Sequence, residues 1–242
     1  MLTDSAIPAP GNSPVTSNVI KLVAIITMLI DHIGYVLFPQ YRLLRYIGRI
    51  AFPLFIFLLV EGFFHTHDRR LYLLRLCGFA AVSEVCFDLA FHRMLLYKDK
   101  CNVFFTLAIG FAVMCLMEYM FTADRRTFRF PAMIYGAMLG VIACIILADL
   151  LHTDYGSHGV VAIGVCCLGR HFRLNRMLCF AGACAILMML NSWEIWSFCG
   201  LPLIYLYNGR LGQKNPAFQY ACYLFYPVHL LLLYALYMLI RA

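Results

Sequence analysis

The stretch VIKLVAIITMLIDHIGYVLF, residues 19–38, decides the fold. It is twenty residues long, the length that carries an α-helix across the apolar core of a bilayer. Lys21, Asp31 and His32 are its only residues of charged type. An ionisable side chain at mid-bilayer depth costs about 2.5–3.5 kcal/mol on insertion scales, so such a residue faces the interior of a bundle or a wet cavity. The first span therefore carries chemistry, transport or both.

Composition extends this reading to the whole chain. Of 242 residues, 63% are hydrophobic and 13% charged, and the mean hydropathy of +0.81 lies far from that of a soluble domain. Residues 1–18 hold Pro8, Pro10 and Pro14 and no basic cluster, so they read as a short extramembrane tail rather than a cleaved leader. Residues 19–242 read as one all-α transmembrane domain, because no connecting loop is long enough to bury a core of its own. The expected crossings are residues 19–38, 44–64, 71–91, 103–121, 131–151, 159–168, 177–190, 193–207 and 220–240, about nine spans. The segments between 159 and 207 are short enough that one of them reads equally as re-entrant.

Eleven cysteines are present without a Cys-x-x-Cys pair, and most lie among apolar residues, so they read as buried thiols; no metal is expected. Basic residues orient the bundle. Alternate loops carry ten of them: Arg69, Arg70, Arg125, Arg126, Arg129, Arg170, Arg173, Arg176, Arg210 and Lys214. The intervening loops carry five: Arg42, Arg45, Arg93, Lys98 and Lys100. The excess predicts a cytoplasmic N-terminus, with Arg42 and Arg45 at the outer end of the second span. The net charge of +7 is explained by this loop bias and calls for no nucleic-acid partner.

The polar residues at membrane depth are the candidate site. Lys21, Ala24, Met28 and Asp31 or His32 recur every three or four positions and share one helix face. Neighbours on a helix point about 100° apart, so a carboxylate that orients His32 is expected from another span rather than from Asp31. Arg42, Arg45 and Arg49 form a basic rail into the second span, where Pro53 should kink the helix. Arg49 at that depth needs an anionic partner, either a buried acid such as Asp31 or Asp88 or a ligand. Glu84 and Asp88 lie one turn apart on the third span and call for a cation from elsewhere, Lys21 or Arg49. Glu61, Asn102, Asp149, Tyr155 and Tyr226 are further polar candidates, and His229 reads either as a hydrogen-bonded structural histidine or as part of a cavity wall.

These residues carry a resemblance. Lys21-x-x-Ala24-x-x-x-Met28-x-x-Asp31-His32, Gly48-Arg49-x-Ala51-Phe52-Pro53 with Glu61-Gly62, Ser83-Glu84 with Phe87-Asp88, Asn102 with Phe105-Thr106, Asp149 with Asp154-Tyr155-Gly156, and Tyr226-Pro227-x-His229-Leu230 resemble the TraX family of bacterial membrane proteins. That family takes its name from the enzyme that N-acetylates conjugative pilin. The resemblance implies an acyltransferase that uses cytoplasmic acetyl-CoA and delivers acetyl to an amine or hydroxyl of a small-molecule, glycan or peptide acceptor at the bacterial cell membrane. On this reading His32 is the base or nucleophile, with Asp31, Arg49 and Asp88 completing the catalytic group. Lys21, Arg42, Arg45, Glu61, Glu84, Asn102, Asp149, Tyr155, Tyr226 and His229 meet substrate, while Arg69, Arg70, Arg125 and Arg126 hold the phosphates of acetyl-CoA. The alternative is a proton-coupled transporter or flippase that uses the same acids as a path.

Overall fold

The computed structural model describes residues 13–123, 130–212 and 215–241, and its regular structure there is helical throughout. The order is α1 (Ser17–Val36), α2 (Arg42–Gly48), α3 (Ala51–His65), α4 (Arg69–His92), α5 (Val103–Thr122), α6 (Phe130–Leu150), α7 (Gly156–His171) and α8 (Arg176–Leu190). A 3-10 segment (Ser192–Gly200) then leads into α9 (Leu201–Leu206) and α10 (Pro216–Arg241). Five helical stretches among the described residues are long and apolar enough to cross a membrane: Ser17–Val36, Arg42–His65, Val103–Thr122, Phe130–Leu150 and Ala217–Arg241. α4 has the length, but Arg69, Arg70, Arg75, Glu84 and Asp88 make it too polar to stand out; α7 and α8 are 16 and 15 residues long.

The second stretch is broken where the sequence places its proline. Arg49 and Ile50 separate α2 from α3, and Pro53, in the first turn of α3, has no N–H to return to the Arg49 carbonyl. Ahead of the break, α2 lies tightly on α1. A Cβ built at Gly48 would overlap the Asp31 carboxyl group, and one at Gly34 would meet Leu44 Cβ at 2.6 Å. Glycine at 48 lets a helix backbone lie directly on a buried carboxylate.

α3, α5, α7 and α8 form the centre, closed by Phe63, Phe111, Ile163 and Leu187, all fully buried. α6 and α10 lie outside it: only Ala137 and Ala148 of α6 are buried, whereas Leu139 and Leu150 are 66% and 69% exposed, as suits a face turned to lipid. Contacts between helix ends define two ends of the bundle. At the basal end Ser17 N–H donates to the Arg210 carbonyl (2.9 Å), Arg170 meets Glu61 (3.3 Å) and Arg69 meets Glu118 (3.3 Å). At the apical end Lys100 meets Asp154 (2.8 Å) and Cys101 N–H donates to the His152 carbonyl (3.1 Å).

Gly48→Ala is expected to cost about 1–3 kcal/mol by overpacking against Asp31. Gly136→Ala, where an added Cβ meets nothing within 4 Å, should be neutral or gain up to about 1 kcal/mol of helix propensity. Thermal unfolding of the two variants in detergent checks the contrast; equal midpoints would show that α1 and α2 do not approach as described.

Candidate active site

Asp31 and His32 leave α1 in different directions, as their helical angle requires. The Asp31 carboxylate turns to α2, where Oδ2 pairs with Arg45 Nη1 and Oδ1 accepts from Arg49 Nη2 at 2.7 Å. The other terminal nitrogen of Arg49 donates to Glu194 Oε1 at 2.9 Å. Two arginines and two carboxylates thus close a chain of charge from α1 through α2 to the 3-10 segment, with the side chains of Asp31 and Glu194 only 10% and 2% exposed. Arg45 is steadied further by the Asp31 carbonyl (3.3 Å) and the face of Tyr35 (4.9 Å). The basic rail is therefore mostly neutralised within the protein. Arg42 stands outside the chain, 5.9 Å over the Trp193 ring.

His32 turns to α10. Its Nδ1 lies 2.7 Å from His229 Nε2, and His229 Nδ1 lies 2.7 Å from the Phe225 carbonyl oxygen. The two rings are within 6° of parallel with centroids 5.0 Å apart, the spacing of an in-plane, edge-to-edge hydrogen bond. A carbonyl only accepts, so His229 carries its proton on Nδ1 and offers the Nε2 lone pair; His32 must then donate from Nδ1. The neutral pair is left with one unprotonated ring nitrogen, His32 Nε2. The expected carboxylate partner of His32 is replaced by an imidazole anchored to backbone. Phe91 and Tyr226 pack edge-on to the His32 ring, with centroids at 5.0 and 6.0 Å.

An apical cavity of about 400 Å³ brings together His32, Asp31, Arg45, Arg49, Lys100, Asp154, Tyr155, Glu194 and Tyr226. A basal cavity of about 600 Å³ is lined by Lys21, Glu61, His65, Tyr72, Arg75, Tyr223 and Tyr226 among others. Met28, Phe55, Val103 and Tyr226 line both, so a thin, mostly apolar partition separates the two.

Other predicted residues meet partners outside the two cavities. Asn102 donates from its amide to Glu84 Oε2 (2.6 Å) and the Ala80 carbonyl (2.8 Å), and its own oxygen caps α5 by accepting from Phe104 N–H (2.9 Å). Glu84 is thus met by an amide, not by the expected cation. Asp88 accepts from Tyr97 N–H (2.8 Å), while its carbonyl accepts from Met94 N–H (3.4 Å), which shapes the turn after α4. Asp149 accepts from Ser157 N–H (2.6 Å) at the start of α7. Asn102, Glu84, Asp88 and Asp149 line neither cavity. Arg69 is taken up by Glu118 and the Phe63 ring (4.3 Å), Arg70 is exposed, and Arg125 and Arg126 lie outside the described residues. Outside the helices, the Asp154 charge raises the Lys100 pKa. Burial first, then Glu84, pushes the Cys101 thiol up to about 11, which leaves it a poor nucleophile at neutral pH. No metal-binding group of His, Cys, Asp and Glu occurs among the described residues.

A family model described as TraX protein matches residues 16–237. The chain belongs to the TraX family. It is 29% identical to the protein TraX of Escherichia coli strain K12, over 88% of this chain and 86% of that one. It is 27% identical to a probable fimbrial assembly protein FimC, serogroup H1, of Dichelobacter nodosus, over 88% and 92% respectively. An uncharacterized protein of Rickettsia prowazekii is 26% identical over 67% of this chain and 59% of its own length. No solved structure matches.

Glu194 was missed by the sequence analysis, although a signal was there: it is the only charged residue in 177–207. Its second oxygen, Oε2, is buried without a hydrogen-bond partner among the described residues. Asp31→Ala is expected to lower stability by about 3–5 kcal/mol, because it strands Arg45 and Arg49 without their shared anion. Glu194→Ala should act in the same direction and non-additively with Asp31→Ala, since after either change alone the other acid still holds Arg49. A double-mutant cycle of unfolding midpoints in detergent checks this; simple additivity would mean that the two acids are not linked through Arg49.

Proposed function

We propose that this TraX-family protein is an integral-membrane acetyltransferase that takes acetyl from acetyl-CoA at the cytoplasmic face and passes it to an amine or hydroxyl acceptor in the apical cavity. The observation that carries the reading is the pair of cavities back to back, with the free nitrogen of His32 on one side of a four-residue partition. A thioester carbonyl brought to the partition from the basal side meets His32 without the bulk of its carrier crossing the bundle.

The site supplies the chemistry in parts. His32 Nε2 takes the proton from the acceptor as its nitrogen or oxygen attacks the thioester carbonyl. The carbon–sulfur bond then breaks, and His32 returns the proton to the departing thiolate. His229 fixes the His32 tautomer and shares the imidazolium proton, the part a carboxylate plays in serine hydrolase triads. An oxyanion needs a donor: Asn102 is committed to Glu84 and α5, whereas Arg49 and Tyr226 lie on the cavity wall. Direct attack by His32 to give an acetyl-imidazole uses the same geometry.

Nine crossings suit this scheme. By the contacts at their ends, α1, α2 with α3, α4, α5, α6, α7, α8, the 3-10 segment with α9, and α10 run in turn between the basal and apical ends. The basic loops at the basal end support a cytoplasmic placement of that end, and with it the N-terminus. At the apical end Arg45 is paired with Asp31 and Lys100 with Asp154, so two of the five basic residues counted in its loops belong to ion pairs rather than to orientation.

Acetyl-CoA should bind the purified protein in detergent and raise its thermal midpoint, an effect that weakens with salt. No binding at millimolar acetyl-CoA would sink the acetyltransferase and favour the proton-coupled transporter. In a folded protein, His32→Ala is expected to lower acceptor-dependent release of CoA thiol by about 10²–10⁴-fold. His229→Ala should lower kcat while leaving acetyl-CoA affinity unchanged; normal turnover by either variant would remove the histidine pair from the mechanism.

A further inference from the structure

The basal cavity contains cations that form no ion pair among the described residues. At or near membrane depth, the arginines of this protein are generally engaged: Arg45 and Arg49 by Asp31, Arg69 by Glu118, Arg170 by Glu61, and Arg176 by the Tyr207 carbonyl at 2.9 Å. Lys21, one turn into α1, and Arg75, in the second turn of α4, line the basal cavity together, and neither has a carboxylate within ion-pair distance among the described residues. The cavity's own acids are already occupied. Glu61 has Arg170 against Oε1 and the Tyr207 hydroxyl against Oε2 (3.4 Å), and Asp68 accepts from Leu71 N–H (2.8 Å) at the N-terminus of α4. His65 and Gln219 add polar groups to the same wall, whereas the inner end of the cavity is apolar, with Ile25, Leu59, Leu76 and Leu107.

We infer that the basal cavity is a phosphate-binding site, in which Lys21 and Arg75 hold the phosphate groups of an amphiphilic organic phosphate whose less polar arm runs inward toward the partition of Met28, Phe55, Val103 and Tyr226. The physical reason is twofold. A cation at the edge of the membrane gains most from an anion that stays with it, and arginine and lysine both grip phosphate, arginine through its planar fork. A cavity of about 600 Å³, polar at one end and apolar at the other, is of ordinary size for such a ligand. The inference rests on the proposed function where it identifies the ligand as acetyl-CoA, and it moves the phosphates from the loop arginines Arg69 and Arg70 into the bundle. The same chemistry would also accept the phosphate of an anionic phospholipid.

The test uses the full-length protein in nanodiscs and compares acetyl-CoA, inorganic pyrophosphate, pantetheine without phosphate, and a fluorescent phosphatidylglycerol. Acetyl-CoA should bind at least about 100-fold more tightly than pantetheine. Lys21→Gln and Arg75→Gln should each weaken acetyl-CoA about 10-fold, Lys21→Arg should restore most of the loss, and exposed Arg173→Gln should change nothing. If wild type binds pyrophosphate or phosphatidylglycerol through Lys21 and Arg75 but not acetyl-CoA, the phosphate site stands and the acetyl-CoA assignment falls. If Lys21→Gln and Arg75→Gln fold and bind all four probes as wild type does, the inference is overturned.

Discussion

The chain of charge from Asp31 through Arg49 to Glu194 holds together parts of the protein that are far apart in sequence. Asp31 is on α1, Arg45 and Arg49 are on and just after α2, and Glu194 is on the 3-10 segment after α8. Each of these groups is costly alone in an apolar bundle, and each is tolerable only with the others in place. That mutual requirement fixes where α2 lies on α1, makes glycine necessary at 48, and brings the 3-10 segment in as a wall of the apical cavity. A hydrophobic cluster in the same place would hold the helices as firmly without leaving charged groups around a cavity, so the chain is better understood as shaping a site than as strengthening a fold.

The pairing of His32 with His229 follows from the same division of α1. With Asp31 committed to the arginines, the imidazole next to it is free to face α10. A second imidazole, locked to a backbone carbonyl, makes a neutral partner that, under the proposed function, would share the charge of a protonated His32. A carboxylate there would add one more anion to a region that already holds Asp31, Asp154 and Glu194. The neutral partner keeps the local charge balanced while still selecting one tautomer of His32.

The two cavities give the molecule a polarity that its helices alone do not have. The apical one is surrounded by ion pairs and aromatic rings; the basal one is larger, with Lys21 and Arg75 at its polar wall. Their common partition is mostly apolar, with the buried Tyr226 as its one polar member. Under the proposed function, such a wall would keep the two cavities apart while leaving a small acyl group only a short distance to cross.

Much was determined by the sequence alone. The helical membrane class followed from residues 19–38 and the composition, the family from the ordered motifs around Asp31-His32, Gly48-Arg49 and Tyr226-Pro227, and the divergence of Asp31 from His32 from helical geometry. The helix break at Arg49–Ile50 was legible in Pro53. These are local properties, set by hydropathy, periodicity and the missing donor of a proline. What tertiary structure decided was partnership. Asn102, Glu84, Asp88 and Asp149 looked like site residues because a polar group in an apolar stretch must be satisfied, but the sequence does not say whether a helix cap, a turn or a ligand satisfies it. Glu194 stood alone in its stretch, and its partner was 145 positions away. His229 met His32 from 197 positions away. Hydrogen bonds and ion pairs between distant segments depend on which helix faces are brought together in space, and no periodicity within one segment encodes that.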